Sequence, residues 1–274
     1  MSGPAGRTRL DVFFSDLKEN GRTAFMPYVT AGYPSLGAMA GIMEMLADAR
    51  ADCLELGIPF SDPVADGATI QNSSKRALES GVTPDAVLGI AELAARKGHR
   101  VILMSYANPI HSAGLEKAAA RAGDAGVQGL VVPDLPLEEA AEWKGVFGRK
   151  GIALSLFAAP TTSSLRLSRI DRMTGGFIYY VSLLGVTGER TKMPPSLPTR
   201  LRAIRRGLTH PLCVGFGVST CQQAAALARV CDGVIVGSAL VRRLADWGGS
   251  VEKRREIGAW VRSMAGAVKG ALTY

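Results

Sequence analysis

The chain has 274 residues, of which 47% are hydrophobic and 20% charged, a balance that excludes a disordered polypeptide. Its net charge is +8, but the cations are scattered over short runs such as Arg96-Lys97, Arg205-Arg206 and Lys253-Arg254-Arg255, and only 6% of residues are aromatic. So little aromatic surface offers few bases to stack on, and the reading is a solvated basic surface that attracts phosphorylated metabolites, with no nucleic-acid partner. No apolar run reaches membrane-spanning length, and the first residues lack the apolar segment of a secretory signal; a cytoplasmic protein with no membrane contact is expected.

In chain order, a helical pattern over 10–20 precedes a short apolar run at 24–29. A helix over 38–49 leads to a second run at 53–56, and a non-periodic stretch, 57–72, separates it from the helix at 84–97. Runs at 101–104, 129–132, 153–157 and 177–181 then alternate with helical patterns at 115–122, 137–147 and 165–173. A second long connection, 185–198, leads to a helix over 197–206, a run at 212–214, a helix over 220–230, a run at 233–236 and a last helix over 252–272. The apolar runs are short and end at Gly, Pro, Asp or Ser, as strands covered on both faces do. Eight such βα units predict a (β/α)8 TIM barrel with an extra N-terminal helix, forming one domain over 1–274. The rival, an open doubly wound sheet, would carry a G-x-G-x-x-G turn after an early strand, and none is present.

Both long connections follow the C-terminal ends of strands, where barrel active sites are built, and read as lids. Alternation along Cys53-Leu54-Glu55-Leu56-Gly57 turns Glu55 inward if the leucines face the helices. A carboxyl there is either paired or held neutral with a raised pKa, and no basic residue occupies a matching strand end. Asp66, in the first lid, is either an ordinary Asp-Gly turn or a second, wetter carboxylate that complements Glu55 in acid–base chemistry. The turns Gly215-Phe216-Gly217 and Gly237-Ser238 follow the last two strands, a usual place for a barrel phosphate site. The three histidines and four cysteines form no metal-binding spacing, so no metal site and structural thiols are expected. No lysine stands at an inward strand end, which leaves imine chemistry unsupported.

The segment Leu54-Glu55-Leu56-Gly57-Ile58-Pro59-Phe60-Ser61-Asp62-Pro63-Val64-Ala65-Asp66-Gly67 closely resembles the signature of the tryptophan synthase alpha subunit family. The likeness continues in Pro27-Tyr28-Val29-Thr30-Ala31-Gly32, Tyr106-Ala107-Asn108-Pro109-Ile110, Val132-Pro133-Asp134-Leu135-Pro136, Gly185-Val186-Thr187-Gly188 and Val214-Gly215-Phe216-Gly217. It implies a (β/α)8 barrel that performs the retro-aldol cleavage of indole-3-glycerol phosphate to indole and glyceraldehyde 3-phosphate, with no cofactor. By the same resemblance, Glu55 protonates indole C3 and takes the glycerol hydroxyl proton, while Asp66 handles the indole N–H. Tyr28, Tyr179, Val131 and Phe157 line the indole pocket, Thr187 closes the second lid over the first, and Gly188, Gly217, Gly237 and Ser238 hold the phosphate. The family partner is a beta subunit in an α2β2 heterotetramer, docked on the active-site face near the loops Pro59-Phe60-Ser61-Asp62-Pro63 and Tyr106-Ala107-Asn108-Pro109, both expected to be exposed. The alternatives are a stand-alone lyase that releases free indole and a weakly catalytic activator of a beta subunit. Ala68 stands where the family frequently has proline, and Leu183-Leu184 replace a more polar stretch; both touch lid behaviour rather than a catalytic group.

Overall fold

The computed structural model describes residues 6–181, 194, 196–215 and 217–270. Among the described residues nine parallel strands carry the core: β1 (Ala24–Thr30), β2 (Cys53–Gly57), β3 (Arg100–Met104), β4 (Val127–Val131), β5 (Ala153–Ser155), β6 (Phe157–Ala158), β7 (Ile178–Val181), β8 (Leu212–Gly215) and β9 (Gly233–Val236). Their order around the sheet is β5-β4-β3-β2-β1-β9-β8-β7-β6. The chain therefore forms a nearly closed barrel, and β5 and β6 are two halves of the predicted run at 153–157, interrupted at Leu156. The seam is bridged by the carbonyls of that run: Leu154 accepts from Gly175 N at 2.7 Å and Leu156 from Tyr179 N at 2.9 Å.

β1, β2, β8 and β9 are buried along their whole length. Helices outside and side chains inside leave no wet face, which is why these segments show no polar alternation. Pro27 fits within β1 because pairing passes there from β9, over Ala24 to Pro27, to β2, over Tyr28 to Thr30. Its missing N–H falls at a change of partner instead of inside a continuous ladder.

The N-terminal helix, Arg9–Glu19, starts with a reciprocal cap between Thr8 and Asp11 and buries Leu10, Phe13, Phe14 and Leu17 against the barrel. Asp11 also accepts from Gly176 N at 2.7 Å, which ties this helix to the end of the barrel where the strands begin. Most outer helices fall on the expected segments, including Met39–Asp48, Pro84–Arg96, Ser164–Met173 and Leu197–Arg206. Two do not. Ala68–Glu79 occupies part of the stretch read as non-periodic and continues beyond it, because its buried face is made of Ile70, Ser73, Ser74 and Ala77 and shows little apolar periodicity. Ala107–Ala113 replaces most of the expected exposed loop, and Tyr106 in front of it is buried. Among the described residues no helix is long and apolar enough to cross a membrane.

Candidate active site

At the C-terminal ends of the strands a small cavity, about 50 Å³, is lined by Tyr28, Glu55, Asp66, Met104, Phe157 and Tyr179 among others. Glu55 stands in the middle of β2, opposite Tyr28 on one side and Ile102 on the other. Leu54 and Leu56, its neighbours, are fully buried on the outer side of the strand. The Glu55 side chain is only 1% exposed. Neither carboxyl oxygen makes a hydrogen bond of standard geometry among the described residues, although the Tyr179 hydroxyl is close enough to favour the ionised form in part. Burial dominates, with the nearby Asp66 charge adding to it, and the Glu55 pKa is pushed up to about 8.

Asp66 reaches the same cavity from the loop after β2. A turn closed by Asp66 N donating to Pro63 O at 3.0 Å sets its backbone, and Gln71 Nε2 donates to Asp66 O at 2.9 Å. Tyr106 fixes the carboxyl: its hydroxyl donates to Asp66 Oδ2 at 3.0 Å and accepts from Ala65 N at 3.0 Å. Phe60 stacks on the Tyr106 ring with centroids 5.2 Å apart, so the aromatic pair joins both ends of the loop. Burial raises the Asp66 pKa to about 6, and the Tyr106 hydrogen bond holds it from rising further. These shifts favour one neutral and one ionised carboxyl at neutral pH, an arrangement that can supply an acid beside a base.

Two glycines make room for the tyrosines in the wall. A Cβ on Gly57 would sit 2.1 Å from the Tyr28 hydroxyl, and one on Gly215 would sit 2.7 Å from the Tyr179 hydroxyl. Neither position tolerates a side chain without displacing a ring. Tyr179 in turn stacks on Phe157 at 4.6 Å, which presents a flat aromatic wall. Around the rim, Thr30 and Ser73 share a 2.6 Å hydrogen bond that clamps the end of β1 to the helix Ala68–Glu79.

Of the expected site residues, Tyr28, Glu55, Asp66, Phe157, Tyr179, Gly217, Gly237 and Ser238 share this one cavity. Val131 does not line it: the residue is fully buried in β4, and its register partner in β3, Met104, stands at the wall. Thr187 and Gly188, with most of the second lid, lie outside the described residues. Sequence reasoning missed Met104, Ile70 and Ile235 as wall residues and Tyr106 as the partner of Asp66. Tyr106 could have been found from its place two residues past the strand end at Met104, where side chains reach the active-site face. Among the described residues no group of three or more His, Cys, Asp or Glu side chains could hold a metal ion.

A family model described as tryptophan synthase alpha chain matches residues 14–269. The tryptophan synthase alpha chain of Geobacter sulfurreducens is 43% identical over 262 residues, covering 95% of this chain and 99% of its own length. That of Citrifermentans bemidjiense is 44% identical over 266 residues, covering 96% and 99%. Among solved structures, the tryptophan synthase alpha chain from Legionella pneumophila superposes with a TM-score of 0.86 at 35% identity, over 96% of this chain and 98% of that one. A chain of Mycobacterium tuberculosis tryptophan synthase gives 0.85 at 34% identity, over 96% and 99%.

Proposed function

The chain belongs to the tryptophan synthase alpha chain family, whose members are indole-3-glycerol-phosphate lyases of tryptophan biosynthesis, and from that premise we propose that Glu55 and Asp66 divide the proton transfers of the cleavage. The supporting observation is their unequal environment: Glu55, with its pKa near 8, enters the reaction protonated, and Asp66, near 6, enters it ionised.

The chemistry follows from that starting state. Glu55 gives its proton to indole C3, and the ring nitrogen, now attached to an electron-poor ring, releases its proton to Asp66. In the resulting indolenine the C3 carbon carries the glycerol chain and a hydrogen. The Glu55 carboxylate next takes the proton of the adjacent glycerol hydroxyl. The oxygen lone pair becomes the carbonyl of glyceraldehyde 3-phosphate, the carbon–carbon bond breaks, and its electrons pass through C2 to the nitrogen. Asp66 returns a proton to that nitrogen, and each carboxyl recovers its initial state. The burial that makes Glu55 a poor anion before the reaction makes its carboxylate a strong base after the first transfer.

The flat wall of Phe157 and Tyr179 suits the indole ring, with Met104 and Ile235 as apolar neighbours. The phosphate is assigned to the turns at Gly217 and Gly237-Ser238, whose small residues let the backbone approach an anion closely. The enclosed volume, about 50 Å³, is far below the roughly 300 Å³ at which ligand pockets begin. Substrate binding on this reading displaces the loop that carries Asp66, and closure over the substrate restores the carboxyl pair. Val64, 77% exposed at the tip of that loop, and Asp62 beside it offer a beta subunit a surface through which docking would hold the loop shut.

The test is indole release from indole-3-glycerol phosphate by Glu55→Gln and Asp66→Asn. Each is expected to fall by about 10²–10⁴-fold while the circular dichroism spectrum stays that of the parent. Near-normal turnover in Glu55→Gln would remove the assignment.

A further inference from the structure

A second concavity is far larger than the carboxylate cavity. A cleft of about 800 Å³ opens at the other end of the barrel, where the strands begin, between the N-terminal helix Arg9–Glu19, the segments before β7, β8 and β9, and the helix Leu197–Arg206. Seven Lys and Arg side chains stand around it against two carboxylates, Asp11 and Asp232. Both carboxylates are already committed. Asp11 accepts from Thr8 and from Gly176 N, and Asp232 accepts from Arg205 at 2.6 Å and from Leu212 N at 2.8 Å. Three of the cations are committed as well: Arg205 to Asp232, Arg7 to Ser15, and Lys144 to Thr174 O at 2.9 Å.

Lys18, Arg202, Arg206 and Arg229 remain. Each is exposed at the rim and has no ion pair or side-chain hydrogen bond among the described residues. Arg202 and Arg206 lie one helical turn apart on the same face, a like-charge spacing that disfavours the helix. Four unneutralised cations around a concave, low-dielectric wall focus a positive potential into it. Phe14, Leu154, Leu208 and Pro211 give that wall an apolar part. The volume, about 800 Å³, is that of a small-molecule site, in the range of roughly 300–1,000 Å³.

We propose that this cleft binds a small polyphosphorylated anion. A chain of three phosphates carries about four negative charges at neutral pH, which matches the four free cations, whereas a single phosphate would leave two or more of them unpaired. The cleft and the carboxylate cavity lie at opposite ends of the barrel, so the anion binds whether or not the active site is filled.

Calorimetric titration of the full chain in about 0.1 M salt tests the proposal, with tripolyphosphate, a nucleoside triphosphate and the bare nucleoside as probes. Each is titrated with and without saturating glycerol 3-phosphate in the active site. One site per chain is expected for the two polyphosphates and none for the nucleoside, with affinity falling steeply as salt rises and unchanged by glycerol 3-phosphate. The double variant Arg202→Glu/Arg206→Glu keeps good helix formers at both positions. It should weaken binding at least about tenfold, with basal lyase activity unchanged. Tighter binding of the nucleoside triphosphate than of tripolyphosphate would assign the apolar wall to the base, and equal binding would assign recognition to the anion alone; both outcomes support the site. Absence of binding at millimolar probe, competition by glycerol 3-phosphate, or equal affinity in the double variant would overturn it. So would a DNA duplex that binds as tightly as tripolyphosphate at equal phosphate concentration.

Discussion

Glu55→Gln separates the proton chemistry of the cavity from its packing, because the substitution keeps the volume of the side chain and removes its ionisation. The pKa of Glu55 stands near 8 in the folded protein against 4.5 as its ordinary value. A carboxyl raised on folding is a proton that the native state holds and the unfolded state releases. Its contribution is therefore complete below about pH 4.5 and is lost as pH rises through 8. Between pH 6 and pH 7 the native state retains nearly a full proton that the unfolded chain has lost, at about 1.4 kcal/mol for each pH unit, and the slope fades as pH passes through 8. Wild-type stability should thus drop by about 2–3 kcal/mol from pH 6 to pH 9 through this one group. Glu55→Gln should escape that loss. Its own amide, buried without partners, adds a cost that does not change with pH. The assay is urea denaturation of both proteins at pH 6, 7, 8 and 9, read as the difference between the two curves. Titrating groups that do not interact with Glu55 cancel in that difference. Curves that run parallel across this range would show that Glu55 is already ionised in the folded protein, and the proton assignment would fail with it.

The remaining expectations concern the same cavity. The kcat/KM for cleavage should be bell-shaped in pH, with an acid limb near 6 as Asp66 is protonated and a basic limb near 8 as Glu55 ionises; a flat profile across both would contradict the division of roles. Tyr106→Phe removes the hydrogen bond that holds the Asp66 pKa down, so the acid limb should move up by about one unit, or ~1.4 kcal/mol, while the basic limb stays in place. Gly57→Ala forces a methyl group to within 2.1 Å of the Tyr28 hydroxyl; overpacking of this kind costs about 1–3 kcal/mol, to be read by denaturation together with a rise in KM. Adding a beta subunit should raise indole release at least several-fold at fixed alpha chain, and Asp62→Ala should lower this activation more than the basal rate; a flat titration with a demonstrated complex would favour a stand-alone lyase.

The barrel could be read from the chain because its strands are covered on both faces. β1 and β9 are unbroken apolar segments in sequence and buried end to end in space, and such segments have few other places to go. The helix Ala68–Glu79 escaped notice for the opposite reason. Its inner face spends two of its buried positions on Ser73 and Ser74, because Ser73 is needed to meet the hydroxyl of Thr30 at the end of β1. A helix that packs through hydrogen bonds leaves no apolar stripe to find. Glu55 was visible as a charge within a buried strand, whereas Tyr106 was hidden: a tyrosine before Ala-Asn-Pro reads as a loop residue until the fold brings it to Asp66, 40 positions earlier. Val131 and Met104 show the same limit from another side. Both end their strands and pair with each other, and which of two adjacent apolar side chains meets the cavity depends on strand tilt, which pattern alone does not carry.

The residues that define the two ends of the barrel follow different physical rules, and the difference supports the proposed place of the chemistry. At the end where the strands begin, carboxylates are spent on structure: the half-buried Asp11 caps a helix and accepts from Gly176 N, and the buried Asp232 pairs with Arg205 and accepts from Leu212 N at the start of β8. The ion pair keeps the buried Asp232 anion tolerable. At the opposite end, among the described residues, Glu55 has no salt-bridge partner and no hydrogen bond of standard geometry, and Asp66 has a phenol in place of a cation. A carboxyl without a counter-ion is worth little to the fold, yet only such a group can take up and return a proton near neutral pH. Placing a lysine or arginine against Glu55 would stabilise its anion, pull its pKa back towards the ordinary carboxylate range, and leave the cavity without an acid.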